Sequence, residues 1–420
     1  NTDVDTSKGY IFGENENIPA YMFMSVVVAL FIGLTVSAEE IIRDRKIRKR
    51  ESFLNLSKGS YLWSKIIIMF ALSAIQTLSF VIVGNSVLGI QGMFTDYWMV
   101  LFTSSCFANI LGLNISSAFN SAVTIYILIP FLIIPQLLLA GVVVKFDKLN
   151  PTLAAQGSVP ISGEVMASRW AFEALAVNQF KENRYEHNFY KYDKSISVAQ
   201  YKKDYWMPKL ESKLVKIENE LKDGKKLSDV KSDIAVLFNE ITKETKINKK
   251  VTCDVLGQIN EKSYNPAVAA AIKAYLSNIK NYYINVQNTA YKKLDEVKLS
   301  MQKNPAEKEK FLELQANYDN ENLNNLVKNA GELNRCIEKD GRLIQQIDPV
   351  YQDPVDSKFG RAHFFAPRKN FMGTYFSTYW FNICVIWMMS IVLIITLYFE
   401  VFKKILDALG NIKFGKKKAF

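Results

Sequence analysis

EEIIRDRKIRKRESFLNLSKGSYLWSK, residues 39–65, is a dense block of arginine and lysine set between two long apolar runs. Cytoplasmic flanks of membrane helices collect Arg and Lys, so this block predicts which side of a bilayer it occupies and, with it, the side of every other segment. It is assigned to the cytoplasm. Arg43, Asp44, Arg45, Lys46 and the Arg48–Glu51 run are too charged to enter lipid. The stretch therefore predicts a helix that starts at the membrane exit of one span, ends in the entry of the next, and is covered by water or by a partner protein.

Upstream, residues 20–38 are uncharged and long enough to cross ~30 Å of hydrocarbon at ~1.5 Å per residue. Residues 1–17 are polar and read as an external loop. Downstream, a second span runs from 66 to about 89, with Gln76, Thr77 and Asn85 expected as hydrogen-bond partners of neighbouring helices. Tyr97 and Trp98 sit where an interfacial aromatic belt belongs. Residues 98–113 return inward, and 122–144 cross outward with Pro130 and Pro135 inside the run, where kinking must be absorbed by neighbours or a cavity. For Pro130 a packing kink is the preferred reading. A last span, 379–399, ends in Glu400 and a basic tail, giving five crossings.

Between them lies a polar stretch of domain size. Leu210, Leu214, Ile217 and Leu221 repeat at helical spacing after Pro208, Asp223-Gly224 interrupts, and Val230, Ile234, Leu237 and Ile241 resume. Pro266 and Pro305 open further helical stripes. The expected fold is all-α: polytopic membrane helices plus a helical-bundle insert outside the cytoplasm. The boundaries are an external loop 1–17, a transmembrane domain 18–145 with four spans and the basic loop 39–65, an insert 146–370, a last span 371–402, and a cytoplasmic tail 403–420.

The formal charge of +11 comes from the basic block, the tail and an evenly mixed Lys/Glu middle. Membrane topology and a solvated helical surface account for it, so nucleic acid is not an expected partner. With four dispersed cysteines and only His187 and His363, no metal site and no catalytic residue is expected. Gly410–Lys417 imitates a phosphate loop but lacks the Ser/Thr after Lys and a preceding strand.

Asp44-Arg45, Arg50-Glu51, Gly59, Tyr61 and Lys65 resemble the ER…RE…G…Y…K signature that follows the second membrane helix in the G subfamily of ABC transporters, the white and pleiotropic-drug-resistance-like group. Asp44 replaces the usual Glu, and Arg48 stands where an aromatic is usual. Residues 132–144, LIIPQLLLAGVVV, followed by ASRWAFEALAVNQF at 167–180, are similar to that family's fifth helix and its SxRWxxEALxxNEF element. Ser168, Arg169, Trp170, Glu173, Ala174, Leu175, Asn178 and Phe180 match in order, with Gln179 replacing Glu. The chain resembles a bacterial member with a large insert.

The resemblance implies a membrane domain of six helices, so the first would precede Asn1, and the chain reads as a segment of something longer. It implies two copies, or two related halves, enclosing a central cavity, and an ABC ATPase domain upstream or on another chain that supplies ATP and Mg²⁺; no cofactor is expected in this chain. Arg45, Arg50 and Glu51 would couple to that ATPase. Val27, Phe31, Leu138, Val142 and Val143 would face the cavity, the last two as an apolar valve after Gly141; the alternative is that they face lipid or a neighbouring helix. The family's external loop often carries a disulfide, for which Cys253 and Cys336 are the candidates; two unpaired thiols remain the alternative. The expected function is the transmembrane part of an ATP-driven exporter of a hydrophobic or amphipathic substrate in the cytoplasmic membrane, working by alternating access, with the insert outside (periplasmic in a Gram-negative cell). The rival is a non-transporting, membrane-anchored scaffold whose insert binds an extracytoplasmic protein partner.

Overall fold

The computed structural model describes residues 10–50, 57–150, 157–355 and 359–411. Helix α1 (Ile18–Ser37) turns at Ala38-Glu39 into α2 (Glu40–Arg50). Helices α3 (Lys58–Val87) and α4 (Phe94–Ala118) follow, then α5 (Ala122–Leu138). α1, α3 and α4 are long and apolar enough to cross a membrane; α5, at 17 residues, is a shorter apolar helix. The crossing expected over 122–144 thus stops early. Gly141 takes a left-handed φ of +81° and a Cβ there would overlap the Phe146 ring, so the chain folds back instead of continuing the helix.

α4 is the hub of the membrane part, packing on α1, α3, α5 and the last span. Its contact with α1 is a seam of small residues: Ser25, Ala29, Gly33 and Ser37 on α1, and Ser104, Ala108, Gly112 and Ser116 on α4, all buried. Lipid gives helices no hydrophobic reason to associate, so close backbone approach and polar contacts must hold them. Polar contacts also tie α3 to α4: Ser73 Oγ lies 2.8 Å from Ser105 Oγ, and Asn109 donates to Ser73 Oγ at 2.7 Å. Of the three polar residues expected to bridge helices, Asn85 does so, accepting from Tyr21 on α1 at 3.0 Å. Thr77 instead bonds the Ser73 carbonyl of its own helix.

The insert contains α6 (Ile161–Glu164), α7 (Ala167–Lys181), α8 (Tyr190–Tyr201), α9 (Met207–Lys222), α10 (Lys231–Ile247), α11 (Pro266–Ser300), α12 (Pro305–Tyr318) and α13 (Glu321–Val327). The expected stripes of α9, α10 and α11 form one core, in which Leu210, Leu214, Ile217, Ile234, Leu237 and Ile272 are buried. Asn265 and Asn304 cap α11 and α12 by accepting from backbone N–H groups of their first turns, with Pro266 and Pro305 at the first helical position. Pro208 does not open a helix out of a loop: a π-helical turn, Lys202–Trp206, runs straight from α8 into α9, a wide turn that accommodates the missing proline N–H.

Two antiparallel hairpins interrupt the helices, β1 (Cys336–Lys339) with β2 (Arg342–Gln345), and β3 (Arg368–Phe371) with β4 (Thr374–Ser377). The expected bridge is absent: Cys253 and Cys336 are free thiols. Both pack against the α9–α11 core as small apolar side chains, and Tyr201 donates its hydroxyl to Cys336 Sγ at 3.3 Å. β4 leads directly into α14 (Thr378–Tyr398), the fourth helix long and apolar enough to span. Glu400, at a left-handed φ of +53°, then redirects the chain into α15 (Val401–Asn411).

Candidate functional site

At the end of the membrane part opposite the insert, the residues of the first motif converge. Lys65 Nζ lies 2.7 Å from Asp44 and 2.9 Å from Glu40, Tyr61 donates to Asp44 at 3.2 Å, and Arg43 pairs with Glu40 at 2.7 Å. These contacts clamp α2 onto the first turns of α3. Ser116 Oγ accepts from the N–H groups of Ile41 and Ile42 at 3.1 Å, so the start of α2 is also held by the end of α4. Arg45 is engaged inside the chain, donating to the Asn120 side chain and to the Ser117 carbonyl. Arg50 is exposed at the end of α2, and Glu51 lies outside the described residues. Of the three expected coupling residues, Arg50 is thus exposed and Arg45 half-buried.

At the insert end, the second motif forms a buried ion cluster. α7 is buried on every side from Ala167 to Phe180 and packs on α1, α4 and α14, although it belongs by sequence to the polar insert. Glu173 accepts from Arg169 at 2.9 Å, Lys369 of β3 at 2.6 Å, Asn382 of α14 at 2.9 Å and the Phe365 N–H at 3.1 Å. Arg169 also pairs with Glu164 and stacks 3.5 Å from the centre of the Trp170 ring. Two cations thus face two carboxylates. Burial pushes the Glu173 carboxyl up, but Lys369 and Arg169 outweigh it and hold the group below the usual carboxylate range. Ser168 receives α5, donating its hydroxyl to the Gln136 carbonyl at 2.5 Å, and Asn178 donates to Asp96 at the start of α4 at 3.0 Å. The motif is therefore a joint linking α4, α5, α7 and α14. Lys369 and Asn382 went unnoticed in sequence; the one available signal was an asparagine inside an apolar span, where a polar group needs a partner.

The cavity candidates divide. Phe31 on α1, Leu138 at the end of α5 and Val143, past the break at Gly141, are exposed. Val27 is not: it is buried in the chain's own core, although its spacing of three residues from Met24 and four from Phe31, both exposed, puts it on their side of α1. Val142 is half-buried and, with Phe146 and Phe364, lines a small cavity of about 150 Å³ at the insert end of α5. α5 buries only the Ile125, Ile129 and Ile133 stripe. α5 packs on α1, α4 and α7.

Neither a curated protein nor a solved structure matches the chain. Residues 4–180, from ahead of α1 through nearly all of α7, match the family model of ABC-2 type transporters, so an ABC-2 type transporter membrane domain covers that part of this integral membrane protein.

Proposed function

We propose that the chain is the membrane-spanning component of an ATP-driven exporter of the G subfamily, moving a hydrophobic or amphipathic substrate through a cavity between α1 and α5 of two copies. ATP hydrolysis is assigned to a nucleotide-binding domain upstream or on another chain. The observation that carries the reading is the exposed apolar surface of α1 and α5, two helices that pack on each other. Met24 and Phe31 on α1 and Tyr126, Phe131 and Leu138 on α5 are exposed, and Pro130 and Pro135 stand within α5. A helical proline deprives the carbonyl four residues earlier of its N–H partner, here at Tyr126 and Phe131. Hydrocarbon offers no donor in exchange, whereas a second subunit or a wet cavity does.

Cysteines placed at Phe31 and at Val143 should cross-link between copies in at least one nucleotide state of the reconstituted transporter. Absence of a cross-link at both positions in every state removes the shared cavity and favours a chain whose spans only anchor the insert. For coupling, exchanging the charges of Arg50 and Glu51 should abolish substrate-stimulated ATPase activity while expression stays normal, since charges that cannot enter lipid are here given the role of meeting the ATPase. Stimulation equal to that of the parent protein would reject that role. Lys65→Met, which opens the Asp44/Glu40 clamp, should instead lower both expression and unfolding temperature.

A further inference from the structure

Residues 370–384, NFMGTYFSTYWFNIC, carry no charge and run from the end of β3 through β4 into the second turn of α14. A hairpin that leads into a membrane span could project away from the bilayer. This one folds back along the span: the Phe371 ring at its tip is 6.3 Å from Phe381 in the first turn of α14. Gly360 also packs there, with a φ of +76° and no room for a Cβ against the Phe381 ring, and Phe359 bridges to Phe371 through its backbone. The tip therefore lies at the depth of Tyr379 and Trp380, where the aromatic belt of α14 meets the membrane surface.

Its outer surface is apolar and uncovered. Phe359 is 71% exposed, Phe371 42%, Met372 75%, Phe376 45% and Trp380 58%. The turn itself is Met372-Gly373, at φ +50° and +91°. Two positive φ values favour Asn or Asp before Gly, so a methionine in the left-handed region at the most exposed point of the hairpin does not serve the turn. Among the described residues, the cations of the hairpin itself have other partners: Arg368 binds Asp353 and lies over Tyr375, and Lys369 is in the Glu173 cluster.

We infer that the β3–β4 tip, with Phe359, is a membrane-dipping wedge seated among the lipid carbonyls and upper acyl chains of the leaflet on the insert side. It anchors the insert next to α14 by apolar contact, not by headgroup charge. The occupant is lipid because the patch is continuous with the lipid-facing surface of α14 at the same depth.

The test uses the full chain in phosphatidylcholine proteoliposomes. The native cysteines are replaced, a single cysteine at Met372 carries an environment-sensitive fluorophore, and unfolding temperature is matched to the parent. A second label at Phe359 covers the case in which the Met372 site disturbs the turn, and one at Lys225, on the α9–α10 turn, is the water-exposed reference. Labels at Met372 and Phe359 should be quenched several-fold more by a nitroxide on the upper acyl chain than by aqueous iodide, with no change when anionic lipid is added. Quenching by iodide alone places the tip in water and overturns the inference. Quenching by neither means that protein covers the patch, which overturns it equally.

Discussion

Glu173→Gln is expected to be among the most destabilising single changes in the chain. It removes the negative charge shared by Arg169 and Lys369 and turns one of the two oxygens that accept from Arg169, Lys369 and Asn382 into a donor, leaving two cations with side chains 0% and 1% exposed to face the Glu164 carboxylate alone. Breaking a buried ion pair from one side costs about 3–5 kcal/mol, because the uncompensated charge stays buried. Lys369→Met should cost less, since Arg169, Asn382 and the Phe365 N–H still satisfy the carboxylate. The double variant Glu173→Gln/Lys369→Met should recover part of the single loss. Thermal unfolding of the purified protein in one detergent closes this double-mutant cycle, and strictly additive effects would show that the cluster is not a unit.

The same cluster predicts a pH dependence. The folded Glu173 carboxyl is depressed below its ordinary 4.5, so its stabilising contribution is complete at neutral pH and is lost as the pH falls from about that ordinary value through the folded one. The parent protein should therefore lose unfolding temperature on acidification below about pH 4.5 more steeply than Glu173→Gln does.

What could be read beforehand follows a physical line. α9, α10 and α11 were legible because each has one face in water, so Leu210, Leu214 and Ile217 stand out against lysine and glutamate. Inside α1 no such contrast exists. Val27 and Phe31 sit in the same apolar run, and only packing decides that one is buried and the other exposed. The end of α5 was hidden for the same reason: LLLAGVVV is apolar throughout, and the break at Gly141 is set by the Phe146 ring lying against it. The β1–β2 hairpin had a local signal in Asp340-Gly341, both at positive φ, that surrounding helical stripes obscured. Lys369 reads in sequence as one more solvated lysine. Nothing local says that it is buried beside a glutamate almost two hundred positions earlier.

The α1–α4 seam makes the second large expectation, and it is graded by position. A Cβ at Gly33 would lie 2.6 Å from the Ser105 carbonyl oxygen and 2.8 Å from Ala108 Cβ. Backbone cannot give way as a side-chain end can, so even Gly33→Ala should cost about 1–3 kcal/mol by overpacking, and Gly33→Leu should separate the helices. Separation would also expose Ser25, Ser37 and Ser104 to hydrocarbon, which helices in lipid avoid. Gly59 on α3 is the internal control: the nearest atoms to its would-be Cβ are 3.8 and 3.9 Å away, so Gly59→Ala should stay within about 0.5 kcal/mol of the parent. Gly112→Ala falls between them. Its added methyl meets the Ser37 hydroxyl, with the Leu34 carbonyl oxygen 3.0 Å away. Ser37 bonds only carbonyls of its own helix, so Ser37→Gly loses no contact between helices and vacates the space the methyl needs. Gly112→Ala/Ser37→Gly should therefore unfold closer to the parent than Gly112→Ala alone. Equal losses for Gly33→Ala and Gly59→Ala, or no rescue at Gly112, would mean that close approach along this seam does not hold α1 to α4.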